Sequence, residues 1–196
     1  MTPLGEAARQ GNHAIARLLI IHGAGITTRM QAGRTPLHFA ASSGKRQAVE
    51  VFLHSRRSNW NIGDVRGCSP MFLAAAHGHA SVVEILWLHG ANATVANHGD
   101  QTPLHIAAQN GHKTVVKLLL RLSDVDVLLE DSRGWTPADL AAKGGHVGLV
   151  KLICSKQGPS VMTTIGCLTA ATRKRLLQFL TGSRVLRRAK GILVCK

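Results

Sequence analysis

The sequence predicts an all-α solenoid, a stack of helix–loop–helix units that bury their apolar faces only against one another. Three observations carry this. Prolines at positions 3, 36, 70, 103 and 137 recur at spacings of 33, 34, 33 and 34 residues. Each is followed eight residues later by a glycine: Gly11, Gly44, Gly78, Gly111 and Gly145. Beyond each glycine runs a stretch with apolar residues at helical spacing, such as Val115, Val116, Leu118, Leu119 and Leu120.

Each element of the unit has a physical reason. A proline at the first helical position has no N–H to leave unpaired, and the Thr or Ser before it can cap the helix. Paired alanines such as Ala40-Ala41 and Ala107-Ala108 give the first helix a thin face that neighbours can approach closely. The glycine ends that helix in a left-handed turn. A second helix follows and closes at Gly23-Ala24 and Gly90-Ala91. Loops of about a dozen residues then lead to the next proline, with Gly33, Gly67 and Gly134 three residues before it, where a positive φ is needed. The units fall at about 1–34, 35–68, 69–101, 102–135 and 136–157.

Composition narrows the function. The 196 residues are 45% hydrophobic, ample for a core, and carry a net charge of +14. Cysteines at 68, 154, 167 and 195 form no CxxC pair, so neither a zinc finger nor a dense disulfide framework is expected. There is no run of about 18 apolar residues to span a membrane, and no secretory signal at the N-terminus. These readings place the chain inside the cell, in cytoplasm or nucleus.

The stretches TPLHFAASSGKRQAVEVFL (35–53) and TPLHIAAQNGHKTVVKLLL (102–120) carry the repeat in its fullest form. This pattern resembles the ankyrin repeat family, whose unit is about 33 residues long with a TPLH opening. The resemblance covers roughly residues 1–157. It implies a helix–loop–helix unit with a β-hairpin-like loop projecting sideways, and a concave face lined by loop tips and first helices that binds protein partners.

There are departures. In the fourth unit the loop glycine has slipped to Gly99, and Asp100 takes its place; aspartate tolerates left-handed geometry, so the turn is expected to survive. The 34-residue spacings imply an extra residue near Arg56 and another near Ser123. Gly5 stands where the family has His, and the first unit has no preceding hairpin. Its outward face is expected to be uncovered, either because the chain is part of a longer array or because another segment caps it.

Eleven histidines suggest metal, but the repeat explains most of them. His38 and His105 are the fourth residue of TPLH and tie a loop to its neighbour in the family pattern. His79, His112 and His146 follow the inter-helix glycine; His22 and His89 precede the glycine that ends the second helix. His77 and His79 form an HxH pair with no Cys or acid to complete a zinc set. No GxSxG, GxxxxGK or HExxH motif is present. No catalytic residue, metal ligand or cofactor is therefore expected, and the chain reads as a non-enzyme.

By register with the resembled family, Arg29, Arg34, Arg66, His77, Gln109, Asn110, Arg133 and Trp135 are expected on the concave face as partner-binding residues. The competing reading is drift at unconstrained solvent positions. Arg34, Arg66 and Arg133 lie at or beside the glycine of three loops and are expected to form a basic ladder. Trp135 is expected to anchor a partner, because Trp and Arg are favoured at interface centres; Trp60 and Trp87 are expected to pack. The partner is a protein, with an acidic one as an option, and no small-molecule substrate is implied.

Residues 158–196 lie beyond the repeat. Eight of the 24 Lys and Arg and none of the ten acids fall in 159–196, giving this tail +8 and the remainder +6. The readings open for it are a degenerate capping helix pair, a nuclear-localisation or acid-binding segment, a basic amphipathic helix for calmodulin or an anionic membrane, and an error of gene prediction. The alternative function is polyanion or nucleic-acid binding through this tail and the arginine ladder. Against it, Phe179 is the tail's one aromatic residue, so stacking platforms for bases are missing.

Overall fold

A computed structural model describes residues 1–54, 59–122 and 124–156. The basic tail, and the two positions where the longer spacings place an extra residue, lie outside the described residues.

The described residues form five helix pairs, each starting at a proline of the repeat. The first helices are α1 (Pro3–Gln10), α3 (Pro36–Ser42), α5 (Pro70–Ala76), α7 (Pro103–Gln109) and α9 (Pro137–Lys143). The second helices are α2 (His13–Ile21), α4 (Arg46–Leu53), α6 (Ala80–Leu88), α8 (Lys113–Leu119) and α10 (Val147–Ser155). First helices pack on first helices and second on second, in chain order, which makes two layers. The alanine pairs sit in the joints of the first layer: Ala40, Ala41, Ala74, Ala75, Ala107 and Ala108 have no exposed surface. Larger residues, among them Val49, Phe52, Val83, Leu86, Val116, Leu119 and Ile153, fill the space between layers.

The inter-helix glycines all adopt positive φ, from 69° at Gly44 to 79° at Gly11. At Gly78 a Cβ would also stand 2.6 Å from Nδ1 of His112, whose ring lies over it. The rings of His79 and His112 reach back to the preceding unit, with Nε2 3.1 Å from the Ser42 carbonyl oxygen and 2.9 Å from that of Ala76. These histidines therefore bind one unit to the next.

Among the described residues the connecting loops carry four tight hairpins, numbered second to fifth after the helix pair that each precedes. Each closes on a backbone N–H to carbonyl bond: Met30 to Arg34, Asp64 to Cys68, Asn97 to Gln101 and Asp131 to Trp135, at 2.8–3.0 Å. Successive hairpins are joined by Val65 N–H to Ala32 C=O, His98 to Arg66 and Ser132 to Gly99, at 3.0, 2.9 and 3.1 Å. Asp100 takes the left-handed conformation expected of it, with φ 56°. Ala32 does so too, at φ 58° beside Gly33, inside a single 3-10 turn (Gln31–Gly33) that the sequence did not announce.

The first unit is open on its outer side. Ile15 is 47% exposed, while its equivalents Ala48, Val82, Val115 and Leu149 are at most 4% exposed. The space that a histidine at position 5 would fill holds the Met30 thioether, whose sulfur accepts from the Thr2 N–H and hydroxyl at 3.4 and 3.1 Å. Trp60 packs partly buried against the core. Trp87 does not follow the packing expectation: it is 45% exposed. Its register position holds buried Leu53 and Cys154 and half-buried Ile20 and Leu120 in the other units.

Candidate recognition surface

The histidines of TPLH fix the hairpins to the helices. Nδ1 of His38 accepts from the Thr35 N–H at 3.1 Å, so Nε2 carries the proton and donates it to the Cys68 carbonyl at 3.1 Å. His105 repeats this between the Thr102 N–H and the Leu129 carbonyl. In the fifth unit the Asp139 carboxylate accepts from the Thr136 N–H and hydroxyl at 3.0 and 2.9 Å. Burial pushes the His38 imidazole down to about 4, and burial lowers His105 as well.

This makes the fold acid-labile in a defined window. An unfolded imidazole binds a proton near pH 6.5, whereas folded His38 does so only near 4. Between those values the unfolded state holds more protons, so His38 favours folding fully above about pH 6.5 and progressively less below it. The difference amounts to about 2 kcal/mol lost between pH 7 and pH 5. Urea midpoints at the two pH values should show this loss, and His38→Asn should shrink it. An equal loss in the variant would remove His38 as its source.

A second set of side chains holds the hairpins in shape. Asp64 Oδ1 accepts from the N–H groups of Arg66 and Cys68 at 2.9 and 3.0 Å. Asn97 does the same for Gly99 and Gln101, and Asp131 for Arg133 and Trp135. The residues just before Thr35 and Thr102 then reach to the next hairpin: Arg34 Nε to Asp64 at 3.2 Å, and Gln101 Nε2 to Asp131 at 3.1 Å. Burial would raise both carboxylates, but hydrogen bonds outweigh it: backbone N–H groups and Arg34 at Asp64, chiefly the Arg133 guanidinium at Asp131. Both groups end below the usual carboxylate range.

These bonds revise the expected basic ladder. Arg66 and Arg133 precede their loop glycines, whereas Arg34 follows Gly33, so the three are not equivalent. Arg34 is held half-buried against Asp64 and links two hairpins. Ala32 and Gly99 occupy the positions that match Arg66 and Arg133.

The other assigned residues lie along the hairpins and the ends of the first helices. Arg29 is exposed, with Nη1 donating to the Gly63 carbonyl at 3.1 Å. The Arg66 side chain is exposed and makes no hydrogen bond or ion pair among the described residues. Arg133 pairs with Asp131 at 2.8 Å and keeps half its side-chain surface in solvent. Trp135 is half-buried, with the Lys143 ammonium 5.4 Å from its ring centroid. His77 is exposed, its ring stacked on His79 at 6.0 Å and its Nδ1 2.8 Å from the Leu73 carbonyl oxygen. Gln109 is half-buried, and exposed Asn110 donates from Nδ2 to the Ala76 carbonyl at 2.8 Å. The surface thus combines spare cationic donors with an aromatic face and lacks a nucleophile–base arrangement among the described residues.

Two layers of helix pairs with a row of bonded hairpins define a helical-repeat protein. The model for the family "Ankyrin repeats (3 copies)" matches residues 1–64, 52–131 and 71–165. The chain belongs to the ankyrin repeat family, whose members mediate protein–protein interaction. It is 37% identical to human Transient receptor potential cation channel subfamily A member 1 over 92 residues, 46% of this chain and 8% of that protein. It is 36% identical to human Neurogenic locus notch homolog protein 4 over 85 residues, 43% of this chain and 4% of that one. Human Scaffold protein ILK is 39% identical over 59 residues, 30% of this chain and 13% of its own length. The chain thus spans only a small part of these relatives. Among the described residues no helix is long and apolar enough to cross a membrane.

Proposed function

We propose that this chain is a non-catalytic recognition module that docks a protein partner on the concave face formed by its hairpins and first helices. The observation that carries this is the pairing of Trp135 and Arg133 at one end of that face with unoccupied Arg66 further along it. Trp and Arg commonly carry about 2 kcal/mol or more each at interface centres. A frame tied together by histidine, Asx and backbone bonds presents them already ordered, which lowers the entropy lost on binding. The relative whose name describes a scaffold fits an adaptor role. The buried thiol of Cys68 favours a reducing, intracellular setting.

The test uses the full chain, a chain ending at residue 157, and a Trp135→Ala/Arg133→Ala double variant against a partner isolated with the full chain. The double substitution should weaken binding more than tenfold in a chain that still folds, and loss of the tail should change it only a few-fold. If tail removal abolishes binding and the double substitution does nothing, the concave-face reading falls and polyanion binding by the tail replaces it.

A further inference from the structure

Charge is unevenly distributed along the hairpin row. Among the described residues, the fully solvent-facing charges at the second and third hairpins are Arg29 and Arg66. The carboxylate there, Asp64, is buried and already accepts from two N–H groups and Arg34. The helix ends beneath add Ser42, Ser43 and His77, none of them acidic. At the fourth and fifth hairpins Asp100 and Glu130 face solvent alongside Arg133 and Lys143, and Trp135 supplies an aromatic face. One end of the row is therefore cationic, and the other is of mixed charge with an apolar anchor.

Resting on the concave-face reading above, we propose that the face takes an extended acidic segment of a protein partner in a fixed register. Its carboxylates lie over Arg29 and Arg66, and an apolar side chain lies on Trp135. Guanidinium groups pair with carboxylates in charge-assisted, often bidentate bonds, and Arg66 has its donors free to do so. Arg66 and Trp135 belong to hairpins two repeats apart. At roughly 10 Å per packed helix, that is about 20 Å. An extended chain covers it in about six residues at ~3.3 Å each. The acid and the apolar residue should therefore stand about six positions apart. A single, half-buried indole under a lysine is not the row of stacking faces that single-stranded nucleic acid uses.

The probe is a display library of random twelve-residue peptides selected on the full chain. Enriched peptides should carry Asp or Glu about six positions from an apolar residue. A synthetic peptide of the enriched sequence should lose more than tenfold in affinity against Arg66→Glu, and a Glu→Lys change in the peptide should restore binding to that variant. Arg17→Glu, which makes the same change of net charge on α2, should alter affinity less than twofold. Absence of enrichment, acid-free peptides, or equal weakening by the Arg17 and Arg66 variants would overturn the proposal. So would random duplex DNA that displaces the peptide and itself depends on Arg66. Acid-free peptides that still need Trp135 and Arg133 defeat only the register and charge proposed here. Peptides indifferent to Trp135 and Arg133 defeat the concave-face reading itself.

Discussion

Leu104→Ala lowers folding stability by about 2–5 kcal/mol, the range for emptying a fully buried leucine site. Leu104 has no exposed surface and lies one residue inside α7, which packs between α5 and α9. Deleting its branched end removes contacts from a joint of the stack. In a stack whose stability is the sum of units and joints, a weakened central joint is felt on both sides. Gln109→Ala, at the end of the same helix, removes a side chain that faces partly into solvent and should cost under about 0.5 kcal/mol. Urea midpoints of the two variants, followed by circular dichroism, give the comparison. Equal shifts would mean that the assigned helical register is wrong.

The features legible in the sequence are those that local backbone rules impose. Proline at the first helical turn and glycine eight residues later leave little choice of conformation, and every inter-helix turn follows them. Asp100 was legible for the same reason, since the residue replacing a left-handed glycine must tolerate that geometry. The roles of Arg34, Arg66 and Arg133 were less accessible. They depend on which side of the loop glycine each arginine falls, and a shift of two positions turns an exposed side chain into a half-buried strut. What captures Arg34 is Asp64. Its signal was present: Asp64, Asn97 and Asp131 recur at 33 and 34 residues, each three positions before the left-handed residue of its hairpin. The second hairpin has Met30 there, with no oxygen to accept from the turn, and it places Ala32 as well as Gly33 at positive φ. Trp87 departs from its expected packing because helical periodicity locates a position without fixing how much of its side chain its neighbours cover.

Asp64→Ala should cost about 3 kcal/mol, in the range for removing one partner of a buried ion pair. The Asp64 carboxylate is almost wholly buried, and three donors converge on it: the N–H groups of Arg66 and Cys68 and the Arg34 guanidinium. Removing it leaves the hairpin turn without its internal acceptor and Arg34 half-buried beside an apolar methyl group. Asp64→Asn separates the two contributions. Its amide oxygen can still accept from both backbone N–H groups, as Asn97 does at the corresponding place in the next hairpin, so only the charge on Arg34 loses its partner. The expected cost is about 1 kcal/mol, typical of a single net hydrogen bond. Chemical unfolding of the full chain measures both variants. Because the third hairpin also presents Arg66, the alanine variant should further weaken peptide binding that depends on Arg66, while the asparagine variant leaves it nearly unchanged. Equal destabilisation by the two would assign the effect to the ion pair rather than to the turn. An unaffected alanine variant would show that the bonds from hairpin to hairpin hold the row without Asp64.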